Sequence, residues 1–389
     1  MSACPVHDGD VQAARWRKQW LLEEGVAYLN HGSVGLSPRP VLDAWTGWIR
    51  RIDRQRLGFI RREANAALGE AYLRLGSFLG TSADRLAFTT STTMAMLSVA
   101  RSFPLEPGDE VLINDHEYWS VIEIWQRACN EAGAKLVVAS IPVPVNDQDT
   151  LADTVFAGAS ERTKLVIFSH VTYRTSMVMP AEVICRRAHE AGIAVLVDGA
   201  HALVQCPVDI DSLECDFYVA SCHKWLCAPA GTGFLWVHPR MQTVMKPLTG
   251  ARRGTWRDAA FTGTEDHSRY LAVPAAIDFI ESAGLDDFRR RSHELARYAR
   301  ERITRLTGIE PWYEDSSQWY ASMAACELPL LDERALQDAL WKDFTIEAYI
   351  NRWNGRSLVR VSCHLYTQAA EIDRLVDALV KSGIGRPRA

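Results

Sequence analysis

Lys224 stands in the run Ser221-Cys222-His223-Lys224-Trp225, between an apolar stretch, Asp216 to Ala220, and the turn Pro229-Ala230-Gly231-Thr232-Gly233. The residues after it, Trp225, Leu226, Cys227 and Ala228, offer little water. Desolvation disfavours an ammonium, and an amine that can lose its proton can form a Schiff base with an aldehyde or ketone. The alternative for a lone lysine at a strand end is a snorkelling side chain with its head in water. A second apolar run, Ala194-Val195-Leu196-Val197, leads into Asp198-Gly199-Ala200-His201. Continuous apolar runs suit strands buried on both faces of a parallel sheet, whose ligands sit beyond the carboxyl ends of the strands. Asp198 and Lys224 are therefore expected at one sheet edge.

A lysine and an acid at such an edge suit pyridoxal 5'-phosphate (PLP). The lysine holds the aldehyde, and the acid keeps the ring nitrogen protonated, which brings a Cα carbanion within reach. Val197-Asp198-Gly199-Ala200-His201 together with Ser221-Cys222-His223-Lys224 resembles the class V aminotransferase family of fold-type I PLP enzymes. Within it, the isopenicillin N epimerase-like and cysteine desulfurase-like subgroup is the nearest, from about Tyr28 to about Leu379. The resemblance implies an α/β fold, with a mostly parallel central sheet sandwiched by helices and a smaller C-terminal α+β domain. We place an N-terminal arm at 1–25, packing on the small domain, a PLP-binding domain at 26–305 and the small domain at 306–389.

Further segments carry the resemblance. After the short strand Leu86 to Thr90, the cluster Ser91-Thr92-Thr93 is an N-cap whose free N–H groups suit a phosphate. In the family this stretch grips the PLP phosphate, although Thr90 replaces the usual Asn. The strand Glu110 to Ile113 leads to Tyr118, where relatives stack a ring on the pyridine. Strand Lys164 to Ser169 precedes Thr172 or Tyr173, which would meet the cofactor or substrate, and Arg174, which is either a surface residue or reads an anionic group. By resemblance His201 lies near the cofactor's O3′, and Ser221 and His223 reach its phosphate. Thr262-Gly263-Thr264 matches a motif whose threonine, Thr264, crosses a homodimer interface to the partner's PLP phosphate. The loop Asn30-His31-Gly32-Ser33 matches a segment that borders the substrate, and Arg360-Val361-Ser362 a strand whose arginine clamps the substrate carboxylate. Catalytic roles are expected of Lys224, Asp198, His201 and Tyr118.

The helices expected are Val11 to Leu22, a pattern from 41 to about 80, Pro180 to Ala191, and 271 to about 306 with Arg289-Arg290-Arg291 on an exposed face. Thr345 to Ile350 and Leu358 to Ser362 read as strands.

The 389 residues carry 48% hydrophobic and 23% charged side chains and a net charge of −5, which argue against nucleic acid as the main partner. No apolar stretch is long enough to span a membrane, and Met1 to Cys4 begins no signal peptide. The nine cysteines form no CxxC pair. His201, Cys206, Cys215, Cys222, His223 and Cys227 fit no zinc spacing, so no metal is expected. These features suggest a cytoplasmic enzyme with a small amino-acid substrate.

Persulfide transfer needs a mobile loop cysteine, and residues 340 to 356 contain none. The expected reaction is β-elimination, of C–S lyase type, or related Cα chemistry on a cysteine-derived amino acid of secondary metabolism. Epimerisation and amine transfer are the alternatives. A protein that keeps the PLP fold without catalysis would have no need of Lys224, Asp198 and Arg360 together.

Overall fold

The computed structural model describes residues 5–145, 147–250 and 254–385. The reading of Met1 to Cys4, the middle of the 246–257 segment and the extreme carboxyl end lie outside the described residues.

Seven strands form the central sheet: β1 (Leu86–Thr89), β2 (Glu110–Asn114), β3 (Lys135–Ala139), β4 (Thr163–Ser169), β5 (Ala194–Asp198), β6 (Phe217–Ser221) and β7 (Gly233–Val237). Their order is β1-β7-β6-β5-β4-β2-β3, and β7 alone runs against its neighbours. The inner strands are apolar throughout because both faces are covered. Val195, Leu196 and Val197 are fully buried, each contributing roughly 1.5–3 kcal/mol. Strands β3 and β7 add to those expected from the sequence; β3 is an edge strand with partly exposed residues.

Helix α1 (Thr92–Ser102) follows β1, α2 (Trp119–Ala132) follows β2, and α3 (Ala181–Glu190) joins β4 to β5. The parallel strands therefore end together, and the turns after β1, β2, β4, β5 and β6 share one edge. Such an edge is where open α/β sheets bind ligands.

A second sheet has the antiparallel order β9-β10-β8, with β8 (Met323–Leu328), β9 (Tyr349–Trp353) and β10 (Arg356–Ser362). Helix α4 (Leu285–Thr307) packs against β8 and α5 (Ala369–Lys381) against α4. The segment 27–33 is stitched to this part of the molecule: Ala27–Tyr28 pairs with Ile346–Glu347, and Asn30 bridges Ser362. The Asp10 carboxylate accepts the Ala369 N–H at 2.7 Å, and Arg17 pairs with Glu371 at 2.9 Å.

Several boundaries differ from expectation. The first helix spans Asp10–Arg17 and stops short of Leu22, because the chain turns to bury Trp20, whose indole N–H donates to the Leu36 carbonyl. The 41–80 pattern is three helices, Arg39–Arg54, Arg56–Arg62 and Ala64–Phe78, broken at Gln55 and Glu63. The Thr345–Ile350 strand is divided: Ile346–Glu347 pairs with the N-terminal loop, and β9 begins at Tyr349. Arg289 and Arg291 are half-buried on α4; the Arg289 Nε–H donates to the Val204 carbonyl at 2.9 Å, and Arg291 pairs with Asp10.

Candidate active site

A cavity of about 350 Å³ opens at the carboxyl edge of the central sheet, facing β10. Lys224 reaches it from the turn after β6, and Asp198 from the end of β5. Burial is the main influence on the lysine and draws its pKa down to about 8; Asp198 opposes this and Arg360 adds to it. Burial also raises Asp198, against the Ala200 N–H that its Oδ1 accepts at 2.9 Å and the attraction of Lys224. His201 Nε2 lies 3.2 Å from Lys224 Nζ, and burial holds this imidazole neutral well below its usual range.

Ser91 caps α1 by accepting the Met94 N–H at 3.2 Å. Ser91, Thr92 and Thr93 then form one wall of the cavity, where first-turn N–H groups and the helix dipole favour an anion. Ser221 joins them, its hydroxyl 2.6 Å from Thr92 Oγ1. The His223 Nδ1–H donates to the Thr232 carbonyl at 2.8 Å, and His223 also lines the cavity.

Arg360 enters from β10 and is 1% exposed. Its guanidinium donates to the Tyr173 carbonyl at 2.5 Å, to Asn30 Oδ1 at 3.1 Å and to Ser33 Oγ at 2.8 Å. All three acceptors are neutral, Nε has no hydrogen-bond partner among the described residues, and burial lowers the pKa to about 10. A buried cation without a counter-charge is costly, so this one is set for an anionic ligand.

Of the residues singled out in the sequence, Tyr118, Tyr173, Gly32 and Ser33 line the cavity. Tyr118 meets Tyr173 edge-on, with centroids 4.9 Å apart. Other expected residues lie elsewhere. His31 is fully buried beneath Lys224 and away from the cavity lining. Its Nε2–H donates to the Lys224 carbonyl at 3.0 Å, and Nδ1 accepts from the Tyr366 hydroxyl at 2.8 Å. Thr172 is also buried outside the lining, its hydroxyl held by Thr175 at 2.7 Å and by the Met177 N–H at 2.8 Å. Asn30 stands behind Arg360 and is tied to Glu347 at 3.1 Å. Arg174 does not line the cavity; it lies over the Tyr173 ring and donates to the Tyr173 hydroxyl. Thr264 is exposed and apart from the cavity, and the nearby Glu265 accepts the Tyr270 hydroxyl at 2.9 Å within the same chain.

Sequence reasoning missed Tyr349 and Ser169, both in the lining. Tyr349 is the cross-strand neighbour of Arg360, a register that no local pattern reveals. Ser169 was legible as the last residue of an apolar run that ends opposite Asp198. Among the described residues, His31, Cys227 and His364 bring possible metal-binding atoms within 4.8 Å of one another. Their Nε2 atoms already meet the Lys224 and Trp225 carbonyls, at 3.0 and 3.4 Å, so we assign no ion to them.

The model of the aminotransferase class-V family matches residues 36–375. The chain belongs to this family. It is 35% identical to the isopenicillin N epimerase of Amycolatopsis lactamdurans, over 94% of this chain and 97% of that protein. Identity to the isopenicillin N epimerase of Streptomyces clavuligerus is 33%, over 93% and 96%. The fold is also that of a C-DES variant with glycine covalently linked to its PLP cofactor, at 22% identity and a TM-score of 0.83, covering 93% of this chain and 98% of that one. This class V family member is a PLP-dependent enzyme, and its own donor set fits the cofactor. The cavity combines a desolvated amine, a buried carboxylate and a helix N-terminus lined with hydroxyls, with an uncompensated guanidinium opposite.

Proposed function

We propose that the enzyme removes the Cα proton of an amino-acid substrate and returns a proton to the opposite face, as an epimerase. The observation that carries the Cα chemistry is the meeting of Lys224 with Arg360 in one cavity. A substrate carboxylate on Arg360 leaves its amine and Cα directed at the lysine. When bound, PLP supplies an aldehyde for the amines and a ring that takes up the electrons left at Cα. Asp198 would hold the ring nitrogen, Tyr118 its face, and Ser91, Thr92, Thr93, Ser221 and His223 its phosphate. Lys224 takes the Cα proton on Nζ, which burial makes a competent base near neutral pH.

Reprotonation needs an acid across from Lys224, and Tyr173 is our candidate. Its hydroxyl oxygen accepts the Arg174 N–H, and burial keeps the phenol protonated, its pKa pushed up to about 12. The two relatives described above, at 35% and 33% identity, are named isopenicillin N epimerases, which supports the same reading.

The second reading is β-elimination from a cysteine-derived amino acid. It is favoured by Trp119, half exposed in the cavity lining, where a bulky leaving group would have room. Persulfide transfer finds no support, since the eight described cysteines are all buried. In a homodimer, Thr264 would serve the partner's phosphate.

The test incubates holoenzyme with L-amino acids in D₂O, followed by NMR and chiral chromatography. Deuterium at Cα of the inverted enantiomer supports the epimerase. Release of keto acid and ammonia moves the assignment to elimination, and transfer of the amine to a keto acid moves it to transamination. Absence of Cα exchange with every amino acid overturns both readings.

A further inference from the structure

Trp225 follows Lys224 in the chain, and its ring is fully buried. Its indole N–H lies 3.3 Å from His201 Nδ1, while His201 Nε2 lies 3.2 Å from Lys224 Nζ. An indole nitrogen can only donate. Nδ1 must therefore accept, and the proton of the neutral imidazole sits on Nε2. That N–H faces the lysine, so Nζ has to present its lone pair.

We propose that Trp225 is a positioning residue: it locks His201 as the Nε2–H tautomer, which holds Lys224, whenever it is not joined to the cofactor, as the free amine that accepts a proton. The inference rests on Lys224 being the Cα base. In the step itself the Cα–H bond breaks, its electrons remain with the substrate and cofactor, and the proton bonds to the Nζ lone pair. The ammonium so formed sets donor against donor with His201 Nε2–H. Lys224 is thereby made quick to release the proton.

The groups around the pair agree. Asp198 faces the lysine from β5 and Arg360 faces both residues from β10; Tyr118, Tyr173, Tyr349 and His223 complete the titratable lining. Burial first, then the Lys224 and Arg360 charges, oppose a second proton on His201. Among the described residues no carboxylate touches the imidazole to favour one; its Nε2 and Nδ1 contacts are Lys224 and Trp225.

The experiment is ¹⁵N NMR of histidine-labelled holoenzyme across pH, with His201 assigned by its loss in His201→Gln, alongside pH profiles of Cα exchange. In the wild type, Nε2 is expected to carry the proton and Nδ1 to stay unprotonated throughout. In Trp225→Phe an Nδ1–H signal appears or the ring titrates, and the acid limb of kcat/KM rises by about one pH unit. In the His201→Gln background the Trp225→Phe change no longer moves that limb. A proton on Nδ1 in the wild type overturns the proposal, even if Trp225→Phe does not fold. Unchanged His201 signals and limb in a folded Trp225→Phe overturn it as well. Failure of the underlying base assignment is seen separately, as Cα exchange that survives in Lys224→Ala holoenzyme while the wild-type tautomer stands.

Discussion

The Arg360 guanidinium lies 4.6 Å over the ring of Tyr349, its directly opposed neighbour across β9 and β10. The ring face offers the cation an attraction of about 0.5–2 kcal/mol, well short of what a carboxylate gives a buried charge. Arg360 is thus kept in place but not neutralised. Arg360→Lys removes the two-pronged clamp and should lower kcat/KM for α-amino acids by about 10²-fold, since charge-assisted hydrogen bonds contribute roughly 1.5–3 kcal/mol. Arg360→Leu should abolish amino-acid binding yet leave the thermal midpoint equal or higher, as an unpaired charge has gone. Steady-state kinetics and thermal unfolding check both outcomes; a large drop in midpoint would mean that the guanidinium is structural.

Lys224 should be the residue that retains cofactor covalently. Borohydride reduction of the holoenzyme is expected to place the label on the Lys224 peptide, and Lys224→Ala to show none. Activity should fall by about 10³-fold or more, the scale of losing a positioned base together with the covalent attachment point. Peptide mapping by mass spectrometry decides the point, and a label on another lysine would refute the assignment.

Glu117 should give the protein a marked pH dependence. Its carboxylate accepts the Ser169 N–H at 2.6 Å, the Ser169 hydroxyl at 2.8 Å and the Asn114 amide at 3.0 Å. Burial, and then the Asp198 charge, push its pKa from 4.5 up to about 8. Between those values the folded chain holds a proton that the unfolded chain releases. Its contribution is whole below pH 4.5, is lost as pH climbs, and is gone above about 8. Glu117→Gln removes that loss. Relative to Glu117→Gln, the wild type should lose roughly 2–4 kcal/mol between pH 4.5 and 8, read as diverging thermal midpoints. Parallel curves would refute it.

Acid should unfold the protein through its buried histidines. Burial lowers His31, His116 and His170 from 6.5 to about 4. The folded state refuses protons that the unfolded state binds between those values, so stability falls as pH drops from 6.5 towards 4. His31→Gln should show a lower midpoint at pH 7, because the Lys224 carbonyl and Tyr366 hydroxyl lose their partner, but a shallower decline below pH 6.5. The slope of midpoint against pH is the quantity to measure, and an unchanged slope would exclude His31 as a contributor.

What the sequence determined alone was the placement of Lys224 and Asp198. Apolar runs long enough for a strand, each ending in a charge, are local patterns, and burial on both faces follows from composition. The hydroxyl cluster at the start of α1 was legible for the same reason, since capping acts over three residues. Tertiary structure decided which loop side chains turn inward. Gly32 and Ser33 line the cavity while His31 between them and Asn30 points away, and Tyr173 lines it while Thr172 does not. Neighbouring residues in a loop have no fixed period, so their directions depend on what they pack against. Gly35 shows how close that packing is: a Cβ there would stand 2.2 Å from the Lys224 carbonyl oxygen. Tyr349 beside Arg360, and Trp225 against His201, likewise came from strand register and from a buried ring contact between distant segments. Those are set by global packing, which no short stretch of sequence encodes.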